Sequence, residues 1–272
     1  MLNNSAAIFL KLMNIKKILK KSIAVLILLL IWQAAAMLID QTVLLASPWE
    51  VVLRLFTLIG EDSFRSVVGF SFARISLGFA AGLAAGCLLA LLSSGHSWLE
   101  TLLSPLMVTI KTVPVASFII IALIWISSSG LSLFISFLMV LPVIYNNVLS
   151  GIRSIDPKML QMSHIYRLSG SVKLKYITIP SVYPYFISAC KISLGLAWKA
   201  GVAAEVIGIP TGSIGEKMYM SKIYLDSAGL LAWTVVIVII SVLFEKIVLW
   251  LLKRGYALLC SCTEPRQDPD HC

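Results

Sequence analysis

"GFSFARISLGFAAGLAAGCLLALL", Gly69 to Leu92, carries a single charge, Arg74, in twenty-four residues. A helix of that length is long enough to cross a hydrocarbon core about 30 Å thick. The stretch lacks the apolar-polar alternation of a membrane barrel strand, so it reads as helical. Within it Gly78, Gly82 and Gly86 recur at four-residue spacing, which lets a neighbouring helix approach closely.

Five more stretches of this kind surround it. The predicted spans are 22–40, 68–92, 99–126, 131–150, 183–208 and 228–252. Pro114 in the third and Pro142 in the fourth are expected kinks, tolerable because neighbouring helices re-satisfy the backbone. The 272 residues are 59% hydrophobic and 13% charged, with mean hydropathy +0.94. A soluble domain would carry roughly 25% charged residues. The expected class is all-α, a polytopic membrane protein with about six transmembrane helices.

The net charge of +9 does not mark a nucleic-acid binder, because the cations form no soluble basic face. Lys11, Lys16, Lys17, Lys20 and Lys21 precede the first span, and Arg153, Lys158, Arg167, Lys173 and Lys175 share one inter-span loop. The positive-inside rule makes both segments cytoplasmic. An even span count agrees, placing both termini and the Lys253–Arg254 pair on that side. The apolar run from Ser22 to Ile39 is long and lacks an obvious small-residue cleavage site, so it reads as an uncleaved span.

Between spans one and two, Ser47, Pro48 and Trp49 open a segment with Val51, Leu55 and Leu58 at helical spacing. It predicts a short amphipathic helix in the outer interface, where Glu50, Glu61 and Asp62 also belong. The five cysteines form no disulfide framework. Cys260, Cys262, Cys272 and His271 lie close together in the tail, but the segment is polar, Pro-containing and terminal. It is read as a disordered tail over 255–272, not a metal site. His96, His164 and His271 build no catalytic centre.

The longest polar interruption is "GIRSIDPKMLQMSHIYRLSGSVKLKYITIPSVYPYF", Gly151 to Phe186. Asp156 followed by Pro157 predicts a helix start. Met159, Met162, Ile165 and Tyr166 then give one apolar stripe. The Ser169–Ser171 stretch breaks the helix; a second is expected from Ser171, with Val172, Tyr176 and Ile177 inward and an end before Pro180. Such a basic, amphipathic helix-turn-helix fits either an interfacial segment in anionic lipid or a protein docking surface.

The same stretch resembles the EAA loop of ABC importer permeases, which runs Glu-Ala-Ala, three residues, Gly, nine more, then Ile-x-Leu-Pro. Gln161, Met162 and Ser163 stand in the first three places, Arg167 in that of the glycine, and Ile177, Ile179 and Pro180 at the end. With Arg167 there and Gly170 retained, the first helix is expected to run nearly one turn further. "ISLGLAWKAGVAAEVIGIPTGSIG", Ile192 to Gly215, is similar to span five and the following loop of nitrate, sulfonate and taurine permeases.

The resemblance covers roughly residues 45–254. It implies a type I ABC importer permease fold in a bacterial inner membrane, with an N-terminal span and outer segment over 1–65, a transmembrane domain over 66–254 and a coupling loop over 152–182. The loop's Asp156, Pro157, Gln161, Ser163, Ile165, Tyr166, Arg167, Gly170 and Pro180 would form the docking surface for ATPase subunits. ATP and Mg would sit on those partners; the chain itself would bind no cofactor and no metal, and it lacks a Walker-type phosphate loop. A solute-binding protein and a second copy, as a homodimer, complete the expected assembly.

Ionisable residues inside spans are functional suspects by default. Lys111, Trp198, Lys199 and Glu205 are the candidates for the pathway or a gate, Glu205 also for contact with the binding protein. Lys199 has two readings: a cation facing an anionic solute, or a partner for a carboxylate such as Glu205 of the other copy. Arg74 is an interface anchor or a pathway residue. Three rival functions lack their sequence signatures. An ATP-independent carrier would need more spans or an inverted repeat. For an intramembrane enzyme, Ser127 to Ser129 have no histidine to activate them. The coupling subunit of vitamin importers would show Ala-Arg-Gly signatures, which are missing. The solute class stays open between sulfonate, nitrate, taurine and a vitamin precursor.

Overall fold

The structure is a computed structural model that describes the backbone of residues 2–39, 41 and 43–261, and the side chains of 19–20, 22–39, 41 and 43–258. The terminal segment with Cys262, His271 and Cys272 lies outside the described residues. Only helices occur among those described: α1 Leu2–Ile39, α2 Pro48–Ile59, α3 Phe64–Gly95, α4 Ser97–Thr112, α5 Val115–Ala122, α6 Ser128–Arg153, α7 Pro157–Ile165, α8 Gly170–Lys173, a π-helical segment Leu174–Thr178, α9 Ile179–Gly208, α10 Ile214–Ile223 and α11 Ser227–Ser261. Residues 255–261, expected in a disordered tail, continue α11 instead.

Five helical stretches are long and apolar enough to cross a membrane: Ser22–Ile39, Phe64–Gly95, Ser128–Arg153, Gly170–Gly208 and Ser227–Leu258. The expected third span is not one straight helix. It is split into α4 and α5, bent by 102°, and counts as a sixth span only if the pair is taken together. Val113 precedes Pro114 and takes an extended conformation, as the proline ring demands of its neighbour. The Pro114 carbonyl then starts α5, accepting from Ser117 N at 3.0 Å. At Pro142 no break follows: α6 runs on, and Asn146 Nδ2 donates to the Pro142 carbonyl at 2.6 Å.

The chain divides into two compact units. In the unit formed by residues 1–61 and 220–235, α2 starts with a capping box. Ser47 Oγ accepts from Glu50 N, and Glu50 reaches back to Ser47 N at 2.8 Å. The amphipathic reading of this segment holds, with Val51 and Leu58 buried. Arg54 pairs with Asp226 at 3.0 Å, and Asp226 also accepts from Gly229 N at 2.8 Å, capping the start of α11. Ser227 Oγ donates to the Val43 carbonyl.

In the other unit, residues 62–219 and 236–272, α6 is the central helix and buries twelve residues against α3 and α9. The glycine stripe of α3 sets the α3–α6 approach. A methyl at Gly82 would lie 2.8 Å from Val140 Cβ, and one at Gly86 would lie 2.9 Å from Ile144 Cβ. Side chains are therefore excluded at these α3 positions, where close packing against α6 supplies the attraction that lipid-facing apolar surface cannot. Ser136 Oγ crosses from α6 to the Ala197 carbonyl on α9 at 3.0 Å. Trp198, 2% exposed, packs among Phe72 and Phe244 at ring-centroid distances of 6.1 Å.

Candidate functional site

The loop between α6 and α9 is ordered by local hydrogen bonds. Asp156 caps α7 as the Asp-Pro pair predicts, accepting from Lys158 N at 2.8 Å, with Pro157 at the first helical position. At the other end, the expected extension beyond Arg167 does not occur. The helix stops at Ile165, and Arg167 itself takes the left-handed conformation at φ 48°. Leu168 N bonds the Ser163 carbonyl at 3.0 Å and Arg167 N the His164 carbonyl at 3.1 Å, which together make a Schellman ending. Arg167 thus occupies a backbone position that favours glycine.

Pro180 does not end the helix as its ring and missing N–H predict. The chain does not leave the helix before it; helix continues from Gly170 to Gly208. The π-helical turn makes this possible. Ile179 N bonds the Leu174 carbonyl, one residue further back than in an α-helix. Pro180 has no N–H to offer, and the wider turn shifts the register around that gap. Ser181 Oγ donates to the Ile177 carbonyl at 2.8 Å. The loop is consequently joined to α9 by continuous helix.

Burial departs from the predicted inward stripe. Ile177 is buried, but Val172 and Tyr176 are exposed. Ser163 is buried, with Oγ on the Leu160 carbonyl at 2.6 Å. Ile165 is 79% and Tyr166 72% exposed, and Met159, Met162, Gln161, Arg167 and Gly170 are exposed beside them. Pro180 is half-buried. Behind the loop, Arg153 at the end of α6 pairs with Glu100 of α4.

The pathway candidates separate. Lys111, in the last turn of α4, and Lys199, on α9, are exposed, whereas Trp198 and Glu205 are buried. Glu205 is 0% exposed, so it has no surface to offer a binding protein or the other copy's Lys199. It holds a turn instead. Ser71 Oγ donates to Glu205 Oε2 at 2.7 Å and accepts from Ile214 N at 2.9 Å, and Gly215 N donates to the same carboxylate oxygen at 3.3 Å. Gly215 presses directly on Glu205; a Cβ there would collide with the Glu205 Cβ and backbone. Ser213 and Glu216 complete the turn at the start of α10: Ser213 Oγ accepts from Glu216 N at 3.0 Å, and Glu216 accepts from Gly212 N at 2.6 Å. Arg74 lies half-buried on the Phe70 ring at 4.5 Å. Sequence reasoning missed Ser71. Its signal was a hydroxyl in an apolar span, which must find a partner when buried.

Among the described residues, an all-helical fold with five or six stretches able to cross a membrane, a glycine-lined α3–α6 seam and an exposed basic loop defines a polytopic membrane protein. The comparisons specify which. Residues 82–254 match the binding-protein-dependent transport system inner membrane component family, and the chain belongs to it. It is an ABC transporter permease of the nitrate, sulfonate and taurine type. The nitrate import permease protein NrtB of Synechocystis sp. is 26% identical, over 93% of this chain and 91% of its own length. A putative aliphatic sulfonates transport permease protein, SsuC of Bacillus subtilis, is 23% identical over 84% of this chain and 83% of its own. The crystal structure of an amino acid ABC transporter with histidines shares the fold, with TM-score 0.56 over 71% of this chain and 93% of that one at 14% identity.

Proposed function

We propose that this chain is the pathway-forming subunit of an ATP-driven importer of a small anionic solute, and that the loop 152–182 docks a cytoplasmic ATPase. The observation that carries this is the pair Ile165 and Tyr166, large and exposed at the end of a capped helix. In sequence they are flanked by Lys158, Arg167, Lys173 and Lys175, and the Schellman ending of α7 leads from them into the helix that runs from Gly170 to Gly208. Exposed apolar side chains ringed by cations suit a protein groove with an acidic rim. The hydrogen-bonded ending of α7 and the helix beyond Gly170 let movement of the groove reach a membrane span.

The remaining assembly follows from that role. Two permease copies, two ATPase subunits that hold ATP and Mg, and an external solute-binding protein make the working unit. The basic loop faces the cytoplasm with both termini, by the distribution of lysine and arginine. Lys199 supports the anionic solute: it is an exposed cation in a membrane-crossing helix, and such a charge belongs on a water-filled pathway or a partner's surface and not in lipid. The names of relatives for nitrate and sulfonates agree in charge.

The test is purification of the complex from its host, with ATP hydrolysis measured in proteoliposomes. Ile165→Asp with Tyr166→Asp is expected to abolish ATPase co-purification and solute-stimulated hydrolysis while membrane insertion persists. Transport at the unmodified rate by that variant would refute docking through this loop and favour an ATP-independent carrier.

A further inference from the structure

An open cavity of about 430 Å³ lies at the loop-bearing end of the helices. One wall is the junction itself, with Leu174 and Thr178 of the π-helical turn and Val182 of α9; the others come from the ends of α3, α6 and α11. Its volume is in the range that holds one small ligand. Apart from the Thr178 hydroxyl and the phenols of Tyr183 and Tyr256, the lining side chains are apolar. The two tyrosine rings stack at 3.7 Å with an interplanar angle of 11°, pinning α11 to α9. Tyrosine is the side chain enriched where hydrocarbon gives way to headgroups.

Basic residues adjoin the lining in sequence. Lys253 and Arg254 lie between lining residues Leu252 and Gly255, and both are exposed. Arg254 rests over the Trp250 ring at 5.2 Å. Lys173 and Lys175 flank lining residue Leu174, and Lys175 rests over the Tyr176 ring at 5.6 Å. The segments 174–186 and 251–258 contain no acidic residue. An apolar slot in a membrane protein, with four cations adjoining its lining in sequence and no acidic residue in those segments, suits a phospholipid of net negative charge.

We propose that this cavity takes one acyl chain of an anionic phospholipid, with its phosphate held at the Lys173, Lys175, Lys253 and Arg254 rim. The chain braces the π-helical turn against α11, so the site lies where loop movement enters α9. Gly255 lines the cavity and no atom lies within 4 Å of a Cβ placed there, so a large side chain is accommodated at this wall without meeting backbone.

The experiment needs no ATPase, so it stands or falls apart from the docking role. The full chain is reconstituted in vesicles of equimolar phosphatidylglycerol and phosphatidylcholine and extracted in mild detergent. Retained lipid is then counted by native mass spectrometry. The expected result is one phosphatidylglycerol per chain, favoured about tenfold over phosphatidylcholine. Gly255→Trp is expected to lose that lipid. Lys253→Gln with Arg254→Gln, both at exposed positions, should keep a lipid but lose the preference. Equal retention of the two lipids by the unmodified chain, or undiminished retention of phosphatidylglycerol by Gly255→Trp, would overturn the proposal. Should Gly255→Trp fail to fold, an unchanged preference in the double glutamine variant would overturn it equally.

Discussion

At Arg167 a side chain and a backbone conformation pull in different directions. A non-glycine residue in the left-handed region costs about 1 to 2 kcal/mol, so Arg167→Gly is expected to stabilise the end of α7, seen as slower amide exchange over residues 160–168. If the guanidinium also meets an acidic ATPase surface, the same variant should weaken ATPase co-purification; tighter association would show that the charge is dispensable. Glu205 is a second residue-scale case. Ser71→Ala removes the hydroxyl that bridges Glu205 to Ile214 N, leaving a buried amide without its acceptor. A loss of roughly 1 to 3 kcal/mol is expected, read as a lower unfolding temperature in detergent. Lys199→Met has a different signature: uptake of an anionic solute should fall while assembly and thermal stability stay level. Unchanged uptake kinetics would make Lys199 structural.

Among elements, the π-helical turn is what carries helix from Gly170 past Pro180 into α9. Deleting Thr178 should remove the extra residue that this turn accommodates, pressing the Pro180 ring on an α-helical carbonyl and bending the helix between the loop and α9. Insertion and expression are expected to persist while solute-stimulated ATP hydrolysis falls; retained coupling would show that the loop finds its groove independently of α9. Asp156–Pro157 was legible as a helix start because a cap is a local interaction of a few residues. The stop at Ile165 and the passage through Pro180 were not legible. Both depend on which alternative backbone hydrogen bonds the surrounding packing allows, and residue preferences alone decide that poorly. Pro114 and Pro142 make the same point, since both were expected to kink a span. The first separates two helices by 102° and the second leaves α6 uninterrupted.

For the whole molecule, the seam between α3 and α6 is the place where packing has least slack. Gly82→Ile should force the helices apart at Val140 and cost about 1 to 3 kcal/mol or more. Gly195→Ala, where a Cβ meets nothing within 4 Å, should be neutral or gain up to about 1 kcal/mol; thermal unfolding of the two variants in one detergent compares them directly. Membrane residence, the helical class, five of the six spans and the glycine seam were determined by the sequence alone, because each rests on local composition or spacing. The burial of Glu205 and Trp198, the outward turn of Lys199 and the exposure of Ile165 and Tyr166 were decided only by tertiary structure. In a chain this apolar, nearly every helix face looks fit for burial. Hydropathy therefore cannot say which face meets protein, and only the close approach of particular backbones selects it.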